Sequence, residues 1–247
     1  MKIKAVLNNV AQLCIHDTEF IGHDIEVTDE DKLLVAAGSV ILAWGFPQWY
    51  YVKVDTVVLV SGSFNENSEF GKMDSNISGL VGTHHLVGKM ILSQPALHHG
   101  FTNDNDKRNV AIHEFAHLID IVDGDCDGLP RQLSDNTFCL PWLNLVEKGM
   151  DDINRKKSDI RQYGATNKVE FFAVVSEYFF ERPKLLKRKH PELYKALHGF
   201  YQQNRAEVQT AIRVRKKAPC PCGSGKRYKR CCLIENTMVE NKKKITL

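Results

Sequence analysis

The chain has 247 residues, 43% hydrophobic and 26% charged, with 33 Lys/Arg against 30 Asp/Glu. That is enough for one sizeable core plus a small appendage, and it excludes a disordered, collagen-like or membrane-spanning chain. The charge is uneven: residues 205–247 carry 12 Lys/Arg against 3 Asp/Glu, and the remainder carries 21 against 27, so a mildly acidic body ends in a basic tail suited to an anionic partner.

The N-terminus is a poor signal peptide, because Asn8, Asn9 and Gln12 break its short apolar stretch. A cytoplasmic location is therefore expected. Thr28, followed by Asp29, Glu30 and Asp31, marks a helix start, and that helix runs through Leu33, Ala37 and Leu42 to Gly45. Its apolar run, residues 33–46, is too short to cross a bilayer. Tyr50 to Val60 predicts a strand, residues 61–79 a Gly/Ser/Asn loop, and Val87 to Leu92 a second strand. Residues 100–109 read as loop, with a helix from about Lys107 to Val122 and turns over 123–141. Helices follow over 141–157, 168–180, 191–203 and 204–215, with Pro183 closing the second of these. The mix is helix-dominated α+β.

His113-Glu114-Phe115-Ala116-His117 is an H-E-x-x-H motif on the helix expected over 107–122. Imidazoles at i and i+4 share one face and can chelate one Zn²⁺, with Glu114 placed to handle protons. A catalytic zinc takes a third protein ligand. Asp123 stands six residues after the second His, but Asp120 replaces the Gly that would turn the chain there. Glu170 and Glu177 share a face of an otherwise apolar helix, where a carboxylate is costly unless paired or metal-bound. Spacing leaves both open. Asp120, one turn beyond His117, is either an orienting partner for an imidazole or a helix-surface acid. Asp123, Asp125, Asp127 and Gly128 imitate half of an EF-hand, yet Ser134 falls at position twelve, so a plain acidic turn is expected. The pairs His84-His85 and His98-His99 read as loop or surface histidines.

Four of the seven cysteines, Cys220, Cys222, Cys231 and Cys232, fall within thirteen residues, a spacing for a tetrahedral structural zinc site. So small a segment has no core of its own, and the metal would supply its folding energy. Cys14, Cys126 and Cys139 are expected to be reduced thiols.

The stretches around residues 109–124, 127–130, 163–167 and 170–180 resemble the Mlc titration factor A family of zinc peptidases, and HPELYKALHGFYQQN resembles its closing helix. The resemblance covers roughly residues 25–204. It implies a zincin-like, gluzincin-type peptidase domain in which His113, His117 and Glu170 bind zinc, Glu114 is the general base and Tyr163 assists. It also implies an aminopeptidase-like activity on peptides, or sequestration of a transcription repressor. The cysteine tail resembles the SEC-C motif, whose modules dock onto a chaperone or the ribosome. The expected organisation is a peptidase domain over 1–205, a basic linker over 206–217, a zinc knuckle over 218–235 and a basic tail over 236–247. The expected cofactors are one catalytic and one structural zinc. The expected partners are a peptide or protein substrate, a repressor, and a protein, ribosome or nucleic acid for the tail.

Overall fold

A computed structural model describes residues 17–46, 54–64, 77–82, 87–103, 106–130, 139–207, 217–218 and 225–230. By its internal contacts the chain divides into two compact units, Met1–Gln203 and Asn204–Leu247. Cys220, Cys222, Cys231 and Cys232, the pair His84-His85 and most of the helix expected over 204–215 lie outside the described residues. In the second unit the described residues include a 3₁₀ turn at Tyr228–Arg230, where the Tyr228 amide donates to the Ala218 carbonyl at 2.8 Å.

The first unit is helix-dominated α+β with one four-stranded sheet in the order β1-β2-β4-β3, comprising β1 (Glu19–His23), β2 (Thr56–Val60), β3 (Gly79–Val81) and β4 (Lys89–Ser93). The first three strands in that order run parallel, and β3 pairs antiparallel with β4, placing Leu80 opposite Ile91. Strand β2 reads TVVLV, with Val57, Leu59 and Val60 buried and Thr56 and Val58 partly so, in keeping with an inner parallel strand. Strand β3 stands at the edge and begins at Gly79, the last residue of the stretch expected to be loop, and Phe64 pairs with Ile77 just before it. Strand β1 went unforeseen: EFIGH has one large apolar pair and a glycine, and its pairing with β2 organises it.

Helix α1 (Asp29–Ala43) starts at Thr28 as the sequence predicts. The Thr28 hydroxyl accepts from the Asp31 amide and the Asp31 carboxylate accepts from the Thr28 amide, a reciprocal capping box. Helix α2 (Gln94–Thr102) was not foreseen, since its two histidines and glycine mask any apolar stripe. Its His98 is no loose surface group: Nε2 lies 2.7 Å from the buried Asp31 carboxylate.

Helix α3 (Val110–Asp120) begins three residues later than predicted, because Asn109 caps it through the Ile112 amide. A 3₁₀ turn (Ile121–Asp123) ends at Gly124, which adopts a left-handed conformation. Helix α4 (Cys139–Asn154) and the 3₁₀ turn Gln162–Ala165 lead to α5 (Lys168–Glu181). Every residue of α5 from Phe171 to Phe180 is buried, so it is a central rather than a surface helix. Pro183 does end α5, but it also opens α6 (Pro183–Lys189), where its missing N–H costs nothing; α7 (Pro191–Tyr201) follows. Phe172, Phe179 and Phe180 pack with Phe200 and Tyr201 into one aromatic core. Helix α3 lies against both α5 and strand β3, so the motif helix is held between the core helix and the sheet edge.

Candidate metal centre

Helix α3 presents His113 and His117 toward the first turn of α5, where Glu170 stands third in the helix. The Asn167 side chain caps that turn by accepting from the Glu170 amide at 2.8 Å. One donor atom from each of His113, His117 and Glu170 lies within 4.8 Å of the others. Glu170 Oε2 is 3.0 Å from His113 Nε2 and 3.7 Å from His117 Nε2. Zinc bonds of about 2.0–2.1 Å in tetrahedral geometry put neighbouring donors about 3.3 Å apart, so these two distances straddle the required one. Two imidazoles and one carboxylate also form a donor set that zinc accepts. Among the described residues, this is the group of His, Cys, Asp and Glu side chains that converges closely enough to hold a metal.

Glu177, the rival candidate, is engaged elsewhere. Its Oε1 meets His113 Nδ1 at 2.8 Å and accepts from Arg161 Nη2, while Oε2 accepts from the Asn109 amide at 2.7 Å. It therefore sits behind His113 rather than beside the gap between the three donors. Asp123 lies in the 3₁₀ turn, where its carboxylate accepts from the Asp125 amide. The Asp127 carboxylate caps the Leu129 amide at 2.9 Å, as a simple acidic turn would. Asp120 departs from both of its expected roles. It is fully buried rather than on the surface, and its Oδ2 accepts from the Gly128 amide at 2.8 Å, leaving Oδ1 and His117 Nδ1 without a protein partner.

The electrostatics follow from burial among carboxylates. Burial disfavours a charged His113, but Glu177 and Glu170 outweigh it and push the ring up to about 10. Burial and the neighbouring His113 drive His117 down to about 3. Glu114 is 2% exposed; burial pushes it up to about 8, His113 opposes, and Glu170 and Glu177 add to the rise. Glu170 is held below the ordinary carboxylate range, burial being outweighed by His113, His117 and the Tyr163 hydroxyl.

Tyr163 sits in the 3₁₀ turn before α5, half-exposed, with its ring 5.9 Å from that of His113 and its hydroxyl near Glu170. Burial and then the Glu170 and Glu114 charges raise its phenol well above the usual range, so it keeps its proton at neutral pH. Three contributors are missed by the sequence reading: Arg161 and Asn109, which hold Glu177, and Gly79, whose α-carbon packs against the Glu114 carboxylate. Asn109 carried a usable signal, an Asn directly before an apolar helical run. Arg161 and Gly79 carried none, because their importance comes from long-range packing.

A partly buried two-histidine, one-carboxylate cluster on adjoining helices, with a neighbouring carboxyl and phenol, is a donor set that could hold a metal. The chain belongs to the glucose-regulated metallo-peptidase M90 family, whose profile matches residues 2–202, and it carries a SEC-C motif over residues 217–233. It is 30% identical to the uncharacterized protein slr2042 of Synechocystis over 205 residues, covering 77% of this chain and 73% of that protein. It is also 34% identical to Mlc titration factor A of Klebsiella pneumoniae and 35% identical to that of Escherichia fergusonii, each over 102 residues. Those two matches cover 39% of this chain and 38% of each relative, so the chain spans well under half of either protein. The resemblance to the Mlc titration factor A family read from the sequence is thus a membership. No helix among the described residues is long and apolar enough to cross a membrane.

Proposed function

We propose that this metallopeptidase is zinc-dependent and aminopeptidase-like, with His113, His117 and Glu170 as the metal ligands in a gluzincin-type arrangement. The observation that carries the reading is the convergence of those three donors within 4.8 Å. Bound there, zinc would supply Lewis acidity and make a water nucleophilic near neutral pH. Glu114, in its carboxylate form, is placed to take a proton from the attacking water and return it to the leaving amine. Tyr163, which keeps its phenolic proton, donates a hydrogen bond to the developing oxyanion. Glu177 accepts from His113 Nδ1 and so selects the tautomer whose Nε2 lone pair faces the metal position.

Cys220, Cys222, Cys231 and Cys232 hold a second, structural zinc in this reading. The support is the SEC-C match together with four thiols at ligand spacing. The peptidase domain would then cover residues 1–205 and the knuckle 218–235, joined by the basic linker and followed by the basic tail over 236–247. That basic segment suits docking on an anionic protein face, a ribosome or a nucleic acid; a cytoplasmic setting is in keeping with the poor N-terminal signal peptide. A second reading, titration of a transcription repressor with hydrolysis secondary, is favoured by the name of the relatives matched over 102 residues.

The test is metal content by mass spectrometry, with hydrolysis of a chromogenic aminoacyl substrate measured in parallel. The enzyme reading expects two zinc ions per wild-type chain and one in His113→Ala, His117→Ala or Glu170→Ala, each of these inactive. Full zinc content in those variants would overturn it. Deleting residues 216–247 should remove the other zinc and spare hydrolysis. Repressor binding that survives Glu114→Gln in a chain with no measurable hydrolysis would favour the second reading.

A further inference from the structure

We propose that Arg161 is a positioning residue for the metal, acting through Glu177 on His113. The inference rests on the zinc reading above. The Glu177 side chain is 3% exposed, and its two oxygens meet three groups: His113 Nδ1, the Asn109 amide and Arg161 Nη2. A carboxylate so deeply placed is costly unless paired with a cation and fully hydrogen-bonded. Arg161 supplies that cation; Lys107, which lies before the motif helix, is bound instead to the carboxylate and carbonyl of Asp159.

Arg161 is itself fixed by its backbone. Two residues before it, the Asp159 carboxylate takes Lys107 at 2.8 Å, the Tyr178 hydroxyl at 2.7 Å, His190 at 2.8 Å and Lys189 at 3.3 Å. Those four groups come from the approach to α3, from α5, from α6 and from the α6–α7 junction. Burial works against the Asp159 charge, but these donors hold its carboxyl far below the usual range. Two residues after Arg161 comes Tyr163, on the 3₁₀ turn that Arg161 precedes.

The segment 159–163 is therefore anchored at one end and serves both sides of one imidazole. Tyr163 meets Glu170, which faces His113 Nε2, and Arg161 meets Glu177, which faces His113 Nδ1. A carboxylate behind a ligating histidine sets its tautomer and ring orientation, and such outer partners are worth about 10–100-fold in metal affinity. Without the guanidinium, the Glu177 side chain keeps the Asn109 amide and His113 but loses the paired cation that shares Oε1 with His113. His113 then loses its orientation even though no ligand has been changed. Arg matters here as a planar donor, so Lys is an incomplete substitute.

The experiment is zinc affinity of the full chain by competition with a chromogenic chelator, with the site identified as the share lost in His113→Ala. Arg161→Gln should weaken that site about 10-fold or more, and Arg161→Lys should recover part of the loss. On a Glu177→Gln background, Arg161→Gln should add nothing, since the route through Glu177 is already cut. The absorption bands of the cobalt-substituted site should shift in Arg161→Gln and Glu177→Gln alike. Wild-type affinity with an unchanged cobalt spectrum in Arg161→Gln overturns the proposal. An undiminished effect of Arg161→Gln on the Glu177→Gln background also overturns it. If Arg161→Gln does not fold, the same cycle run with Arg161→Lys decides. If the wild-type chain holds no zinc that depends on His113, the zinc reading falls and this inference falls with it.

Discussion

Gly79 lies so close against Glu114 that a methyl group on its α-carbon would stand 2.3 Å from Oε1 of the carboxylate. The edge strand β3 is thus stacked directly on the residue assigned as general base, with Val110 of the same helix filling the remaining space. Gly79→Ala forces either the strand or the Glu114 side chain to move. A displacement of about 1 Å at a catalytic group costs on the order of 10²-fold in rate. The expected outcome is a loss of that size in kcat with zinc content unchanged, because no ligand is touched. Wild-type turnover in Gly79→Ala would show that Glu114 is not held from this side.

That contact also shows where reading the sequence stops. His113, Glu114 and His117 announce themselves by spacing, and the Thr28 and Asn167 caps obey local rules, so α1, the motif helix and the core helix are legible. Gly79 lies in a Gly- and Asn-rich stretch that reads as loop, and it becomes a strand only through pairing with Met90 to Leu92. The choice between Glu170 and Glu177 is equally non-local. Two carboxylates seven residues apart share a helical face, and only the packing of α3 on α5 puts one in front of His113 and the other behind it. Helix α2 was hidden for a different reason: its caps and its buried Asp31 partner, rather than an apolar stripe, define it.

Tyr163→Phe separates chemistry from structure. Tyr163 is 48% exposed, so removing its hydroxyl oxygen leaves the core untouched. Loss of one oxyanion donor costs about 10²–10³-fold in kcat. Zinc affinity and thermal midpoint should stay close to wild type. A fall in affinity matching that of Glu170→Ala would instead make Tyr163 a structural support of the ligand.

Asp31 provides a pH-dependent stability term remote from the metal. Burial pushes its carboxyl up, but the Thr28 amide and hydroxyl, His98 and Gln94 outweigh it and hold it at about 2. A carboxyl whose folded value is depressed binds its proton less readily in the native state than in the unfolded one. Its contribution is therefore present above the ordinary value of 3.8 and disappears as pH falls toward 2. Asp31→Asn should cost about 2 kcal/mol at neutral pH. The gap from wild type, measured by urea unfolding across pH 2–7, should close below pH 4. A gap that stays constant with pH would mean that the carboxylate charge is not what the capping box uses.

Gly128 and Gly124 both adopt positive φ, +77° and +103°, and differ in what surrounds them. Around Gly124 nothing lies within 4 Å of an added Cβ, so Gly124→Ala incurs only the left-handed backbone penalty, about 1–2 kcal/mol. At Gly128 the added Cβ would stand 2.4 Å from the Lys168 carbonyl oxygen, a backbone atom that cannot swing away. The same glycine donates its amide to Asp120 and receives the Trp142 indole N–H on its carbonyl at 2.8 Å, so the loop cannot shift without breaking buried hydrogen bonds. Gly128→Ala should therefore cost more than about 3 kcal/mol, combining backbone strain with steric displacement. Because Lys168 begins the helix that carries Glu170, the displacement also moves a ligand. Gly128→Ala should weaken zinc binding at the His113 site, whereas Gly124→Ala should leave it unchanged. Equal effects of the two substitutions on both unfolding and zinc affinity would show that this loop does not set the distance between His117 and Glu170.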